Sequence, residues 1–261
     1  MIAENAVKRR LAGGEVVLGS FCLEFQTRGI GRLSAAAGAD FLVYDMEHTG
    51  WSTETIAWLL AARGPDLTPI VRVPSMEANA IGPVLDVGAL GIMVPMVSSA
   101  EQARAIVTAV RYPPAGRRGS AFGIAHDGYA PPTDVAASMR AADEEILVIA
   151  QIETLAGMDA LEEIAAVDGI DVLWLGQADL TASMGRPGAY DDTDFSDALA
   201  RVAEVAGAHQ KAAAYLALSV EDGRRVMSLG YRLVAYSGDL WLYQTALRDG
   251  LDRLRHQTGA D

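Results

Sequence analysis

Eight apolar runs of strand length alternate with helical patterns along almost the whole chain, and this alternation restricts the fold more than any other feature. The runs fall at 15–24, 41–47, 69–74, 91–97, 146–153, 172–179, 212–218 and 231–238. Between them lie helical patterns such as "STETIAWLLAARG", where Ser52 is placed to cap the N-terminus, and "SAEQARAIVTAV". A Pro/Gly-rich stretch, "RYPPAGRRGSAFGIAHDGYAPPTD", and a short helix around 134–142 separate the fourth run from the fifth. An amphipathic helix over 240–256 closes the pattern. Eight strands each feeding a helix, in 261 residues, predict a (β/α)8 barrel, the TIM-barrel architecture, as one α/β domain spanning 1–261. A doubly wound sheet is the alternative, but "EFQTRGIG" after the first run is not its glycine fingerprint, and no Walker-type phosphate loop occurs.

A net charge of −13 argues against nucleic acid, which needs clustered Lys and Arg. The one cysteine, Cys22, excludes an intramolecular disulfide and a cysteine metal site, and it reads as a packed strand residue. The N-terminus lacks the apolar core of a secretory signal, and no apolar run is long enough for a bilayer, so a cytoplasmic protein with no membrane partner is expected.

Barrel active sites form where the strands end. Asp45, Glu47 and His48 end the second run, and Arg72 lies late in the third. Gln151 and Glu153 close the fifth, Asp179 the sixth, and Asp239 follows the eighth. Each has an ordinary reading too: Asp45 can pair with Arg72, Glu47 can face solvent, His48 can be a loop histidine, and Asp179 an N-cap. Glu153 and Arg72 resist that reading, because a charge inside an apolar strand needs a partner.

Two carboxylates on neighbouring strands, without Cys or His beside them, suit a hard divalent cation such as Mg²⁺, Mn²⁺ or Co²⁺. Such an ion can polarise the ketone of a 2-oxo acid and stabilise an enolate, with Arg72 on the same oxygen. Only Lys8 and Lys211 occur, one before the first strand and one at the entry of the seventh. A Schiff-base mechanism therefore has no lysine at the strand ends, and carbanion chemistry here needs a metal.

The motifs "YDMEHTG", "VRVP", "VLDVGALGIMVPMV", "RYPPAGRRG", "QIET" and "GQADLT", in that order across nearly the whole chain, resemble the HpcH/HpaI aldolase/citrate lyase family of metal-dependent pyruvate aldolases. The resemblance implies Glu153 and Asp179 as metal ligands and His48 as general base through a metal-bound water, oriented by Asp86. It implies that Arg72 polarises the ketone, positioned by Asp45, and that Gln151 supports the metal through water. Backbone amides around Gly176, Gln177, Ala178 and Asp179 would take the substrate carboxylate, and Leu216 would line the aldehyde side. The activity implied is reversible cleavage of 4-hydroxy-2-oxo acids to pyruvate, or a related 2-oxo acid, and an aldehyde.

One position departs from the family pattern: "GQAD" carries Gln177 where proline is usual, adding donors near the pocket. The family also implies a homo-oligomer, trimer or hexamer, with the C-terminal helix exchanged between subunits. The segment 123–129, with His126 and Asp127, is expected to be an oligomer contact or a lid, the contact being favoured. Oxaloacetate decarboxylation, an acyl-CoA lyase and an inactive barrel acting as a binding protein are the competing readings. The acyl-CoA lyase would have only Arg117–Arg118 and Arg186 in the loops for the CoA phosphates.

Overall fold

The computed structural model describes residues 2–64 and 66–257. Its strands are β1 (Val17–Cys22), β2 (Phe41–Asp45), β3 (Thr68–Arg72), β4 (Gly91–Val94), β5 (Leu147–Ile152), β6 (Val172–Leu175), β7 (Ala212–Ala217) and β8 (Tyr231–Gly238). They close in sequence order into one parallel barrel, β8 pairing back onto β1. The helices are α1 (Ala6–Ala12), α2 (Ile30–Ala36), α3 (Thr53–Leu60), α4 (Ala78–Asp86), α5 (Ala100–Val110) and α6 (Val135–Glu145). They continue as α7 (Leu155–Asp159), α8 (Leu161–Ala165), α9 (Gln177–Ser183), α10 (Thr193–Ala208), α11 (Val220–Ser228) and α12 (Asp239–Gln257), with a 3₁₀ turn at Ala125–Asp127. Ser52 caps α3 through the Thr55 amide, as the sequence predicts.

Period-two alternation divides the strand residues between two cores. Phe41 and Val43, Ile149, Val172 and Trp174, Ala212 and Ala214, and Leu233 and Ala235 fill the barrel interior. Their strand neighbours Leu42, Val148, Leu173 and Ala213 pack outward against the helices. Because both faces are covered, the strands read as continuous apolar runs. Gly19 is required inside, since a Cβ there would run into Phe41.

The sequence reading had no helix before β1. Asn5 caps α1 and its side-chain amide donates to the Leu90 and Glu145 carbonyls at 2.9 Å, while Val7 enters the interior core and closes the N-terminal end of the barrel. The other end of the chain is left bare. Residues 241–255 of α12 are exposed, including Trp241, Leu242, Tyr243, Leu247, Leu251 and Leu254. The outer face of β1 and β8 is likewise uncovered at Leu18 and Tyr236. No described helix is long and apolar enough to cross a membrane.

Candidate active site

Inward parity selects the groups that reach the C-terminal mouth. Continuing each interior series by two residues gives Asp45 on β2, Arg72 on β3, Gln151 on β5 and then Glu153 just past it, Gly176 after β6, and Leu216 on β7. The β2–β3 register sets Asp45 directly beside Arg72. The Arg72 guanidinium donates through Nε to Asp45 Oδ1 at 2.8 Å and through Nη2 to Asp45 Oδ2 at 2.9 Å, a bidentate fork. Its third nitrogen lies 3.2 Å from Glu47, and the Phe21 ring supports it at 5.3 Å. Burial opposes this charge, but the hydrogen bonds it donates to Asp45 and the charges of Asp45, Glu47 and Glu153 raise the Arg72 pKa overall.

Asp45 also accepts the Glu47 and His48 amides, and its carbonyl accepts the Thr49 hydroxyl at 2.6 Å. The buried strand end therefore shapes the turn that carries His48. The His48 imidazole lines the cavity, 59% exposed, with Nε2 3.9 Å from Glu47. Glu47, to which the sequence assigned no chemistry, thus lies between Arg72 and His48. Burial pushes its carboxyl above the usual range, with Arg72 and His48 opposing.

Glu153 is 1% exposed. Its carboxylate accepts the Met96 amide at 2.7 Å and the Gln151 side-chain amide. Met96 holds φ 59°, a strained value for a non-glycine residue that aims its N–H at Glu153. Burial pushes the Glu153 carboxyl up to about 7, against those two hydrogen bonds and with the like charges of Glu47 and Asp179 adding to the rise. Gly176 leaves room for it, because a Cβ there would overlap the carboxylate. Asp179 lines the same cavity from the first turn of α9, not from the end of β6 as the sequence reading had it, since β6 stops at Leu175.

These groups fit a hard cation. Glu153 is buried against neutral donors, and the Gln151 amide oxygen is buried without a hydrogen-bond partner. Among the described residues no three His, Cys, Asp or Glu side chains converge as a ready cluster. A cation here would take two protein carboxylates and leave its other positions to water and substrate.

The cavity measures about 620 Å³ and is walled by Phe21, Leu23, Trp174, Tyr190, Leu216 and Leu218, with Trp241 and Thr245 of α12. It contains no lysine, as the sequence reading required. Lys8 Nζ donates to the Ile146 carbonyl at 2.7 Å, and Lys211 Nζ to those of Ile170 and Val167, in the loops that lead into β5 and β6.

Two of the expected residues lie away from the mouth within this chain, and two further groups are structural. Asp86 does not contact His48 within the chain; at the C-terminus of α4 its carboxylate pairs with Arg118 at 2.9 Å, and Glu47 is the acid facing His48. The 123–129 segment is no lid over its own site. His126 borders a small cavity with Ile2, Leu90 and Ile146, at the opposite end of the barrel. Asp239 accepts the Leu23, Glu24 and Phe25 amides, fixing the β1–α2 loop. Cys22 is buried beneath it as a packed thiol, its pKa raised by burial and by Asp239. Sequence reasoning missed Met96, Tyr190 and Trp241, which no local pattern marks as cavity-facing.

The HpcH/HpaI aldolase/citrate lyase family model matches residues 26–246. A hydroxypyruvate/pyruvate aldolase of Roseovarius nubinhibens is 38% identical over 96% of this chain and 97% of its own. A 4-hydroxy-2-oxovalerate aldolase of Novosphingobium aromaticivorans is 40% identical over 98% and 97%. The crystal structure of an HpcH/HpaI aldolase from Desulfitobacterium hafniense DCB-2 superimposes with a TM-score of 0.91 at 27% identity, covering 97% of each chain. With the barrel, the paired acids and the Asp45-held arginine in the same order as the family's motifs, this chain belongs to the HpcH/HpaI aldolase/citrate lyase family.

Proposed function

We propose that this protein is a metal-dependent aldolase that reversibly cleaves 4-hydroxy-2-oxo acids into pyruvate, or a close 2-oxo acid, and an aldehyde. The observation that carries the reading is one lysine-free cavity faced by a fixed guanidinium, two carboxylates and an accessible imidazole. Glu153 and Asp179 would hold Mg²⁺, Mn²⁺ or Co²⁺, with Gln151 in support. When bound, the ion supplies Lewis-acid stabilisation of negative charge on the 2-oxo oxygen.

The chain's own groups do the rest. Arg72, locked by Asp45, donates to the 2-oxo oxygen as charge builds there. The first-turn amides of α9, at Gln177, Ala178 and Asp179, have no intrahelical acceptors and receive the substrate carboxylate beside Gly176. In cleavage His48 takes the 4-hydroxyl proton, the C3–C4 bond breaks, the aldehyde leaves, and the imidazolium returns that proton to C3 of the enolate. Glu47 stabilises the imidazolium formed on the way. Leu216 lines the aldehyde side. The lining offers no basic groups beyond Arg72 and His48, which leaves coenzyme A phosphates unmatched.

The same reading includes assembly and location. The bare face of α12 matches the uncovered groove between β8 and α2, lined by Leu18, Ile30, Ala37 and Tyr236. Exchange of α12 between subunits of a trimer or hexamer would cover both, and light scattering tests it: a monomer at micromolar concentration removes it. A cytoplasmic location suits the single buried thiol. For the activity, pyruvate and glycolaldehyde are incubated with EDTA and then with added Mg²⁺ or Mn²⁺. Condensation product only with metal, and none from His48→Ala, is expected. Product formation that ignores chelation removes the metal assignment.

A further inference from the structure

Past Leu216 the catalytic cavity does not end on a plain wall. A second cavity of about 410 Å³ adjoins it, and Gln177, Tyr190 and Leu218 line both. Gln177 stands between them, 7% exposed, with its side-chain Nε2 donating to the Leu216 carbonyl at 2.9 Å. This bond ties the start of α9 to the end of β7, so the partition is held in place. Behind it the annex is acidic. Asp191, Glu221 and Asp222 face a single guanidinium, Arg225, which is already paired with Asp222 at 3.1 Å.

We propose that Gln177 sets the acceptor specificity of the site. Its amide, fixed to the Leu216 carbonyl, limits the catalytic cavity to short aldehydes, and the annex behind it admits a longer chain only when that chain is uncharged and hydroxylated. This inference rests on the aldolase reading and deepens it. Hydroxyls can donate to Asp191 and Glu221, whereas a carboxylate carried past Gln177 meets unneutralised like charge at close range. A side chain that is both buried and hydrogen-bonded makes a firmer length limit than a mobile one, because opening the passage forfeits the bond.

The test compares kcat/KM for glycolaldehyde, erythrose and succinic semialdehyde, the last two matched at four carbons but differing in charge. Exchange of the pyruvate methyl protons with D₂O, read by NMR, reports the pyruvate half independently. Wild type should rank glycolaldehyde first and succinic semialdehyde last. Gln177→Ala should raise the erythrose-to-glycolaldehyde ratio about tenfold, chiefly through KM. Adding Asp191→Asn and Glu221→Gln should raise the succinic semialdehyde-to-erythrose ratio by a further factor of about ten. Exchange with ratios that do not move overturns the role of Gln177. No exchange in wild type overturns the aldolase reading instead. If Gln177→Ala loses exchange, Leu218→Ala, which widens the same passage from its exposed side, decides by the same ratio.

Discussion

The half-buried lysines at the N-terminal end of the barrel and the acids at its C-terminal mouth handle charge in opposite ways. At the N-terminal end Lys8 Nζ meets the Ile146 carbonyl and Asp171, whose other contact is the Val148 amide at 2.8 Å. Lys211 meets two carbonyls, and Asn5 joins Leu90 to Glu145. Each of these three groups ties a strand start to another element, although Arg118 and His126 nearby keep buried nitrogens without hydrogen-bond partners. At the C-terminal end Glu153 has two neutral donors and the like charges of Glu47 and Asp179 nearby. The Gln151 oxygen has no hydrogen-bond partner, and Met96 carries backbone strain to reach Glu153. Buried polarity matched within the chain stabilises; buried polarity left mismatched marks where a ligand completes the set.

The largest effect should come from removing the least matched charge. Glu153→Gln keeps the shape and should lower aldol activity by about 10³-fold, by analogy with losing a principal electrostatic contact in the transition state. Its effect on folding should have the opposite sign. The native state holds the Glu153 proton up to about pH 7, while the unfolded chain releases it near the ordinary value of 4.5. Native stability therefore falls as pH rises from about 4.5 to about 7 and levels off above, by at most ~3 kcal/mol. In chelator, urea midpoints should show Glu153→Gln the more stable protein at pH 8 and the two proteins converging near pH 4.5. A variant destabilised at pH 8 would break the comparison, since Glu153 would then be satisfied by the chain alone.

Asp45→Asn is expected next in size. It leaves the Arg72 guanidinium buried with Glu47 as its remaining acid partner and weakens the turn bearing His48. Losing one member of a buried, hydrogen-bonded pair costs about 3 kcal/mol or more. Stability and kcat should fall together here, unlike Glu153→Gln, because the Asp45 carboxylate is engaged by Arg72 and by the Glu47 and His48 amides of the chain itself. Urea denaturation and steady-state kinetics on the same preparation check it.

The barrel itself was legible because buried parallel strands are apolar on both faces and stand out as runs. The strand positions hold to within a few residues; β6 was carried four residues too far, because "GQAD" continues the run into α9. The pairing of Asp45 with Arg72 was legible for the same reason, both lying at strand ends that neighbour in a barrel. Other features depend on groups far apart in sequence. Asp239 reads as a site acid until Leu23, Glu24 and Phe25 present their amides to it. Asp86 meets Arg118 from an irregular segment with no periodicity to place it. Helix α1 is only seven residues and takes its stability from Asn5 and Val7 docking on the barrel floor, which local propensity does not show.

The smallest effect tests the matched end. Lys8→Met keeps the aliphatic stem and removes the ammonium, leaving the Ile146 carbonyl without that donor and Asp171 with less compensation. Burial already holds the Lys8 pKa below the ordinary value despite Asp171, so part of the lost attraction is offset by relief of desolvation. The net loss should be about 1–2 kcal/mol. Because Lys8 sits at the opposite end from His48, Arg72 and Glu153, kcat/KM should stay within about twofold at temperatures where the variant is folded. Thermal denaturation and kinetics on one sample separate the two quantities. A fall in kcat/KM well beyond the loss of folded protein would mean that the barrel interior couples its two ends, and the division of labour between them would fail.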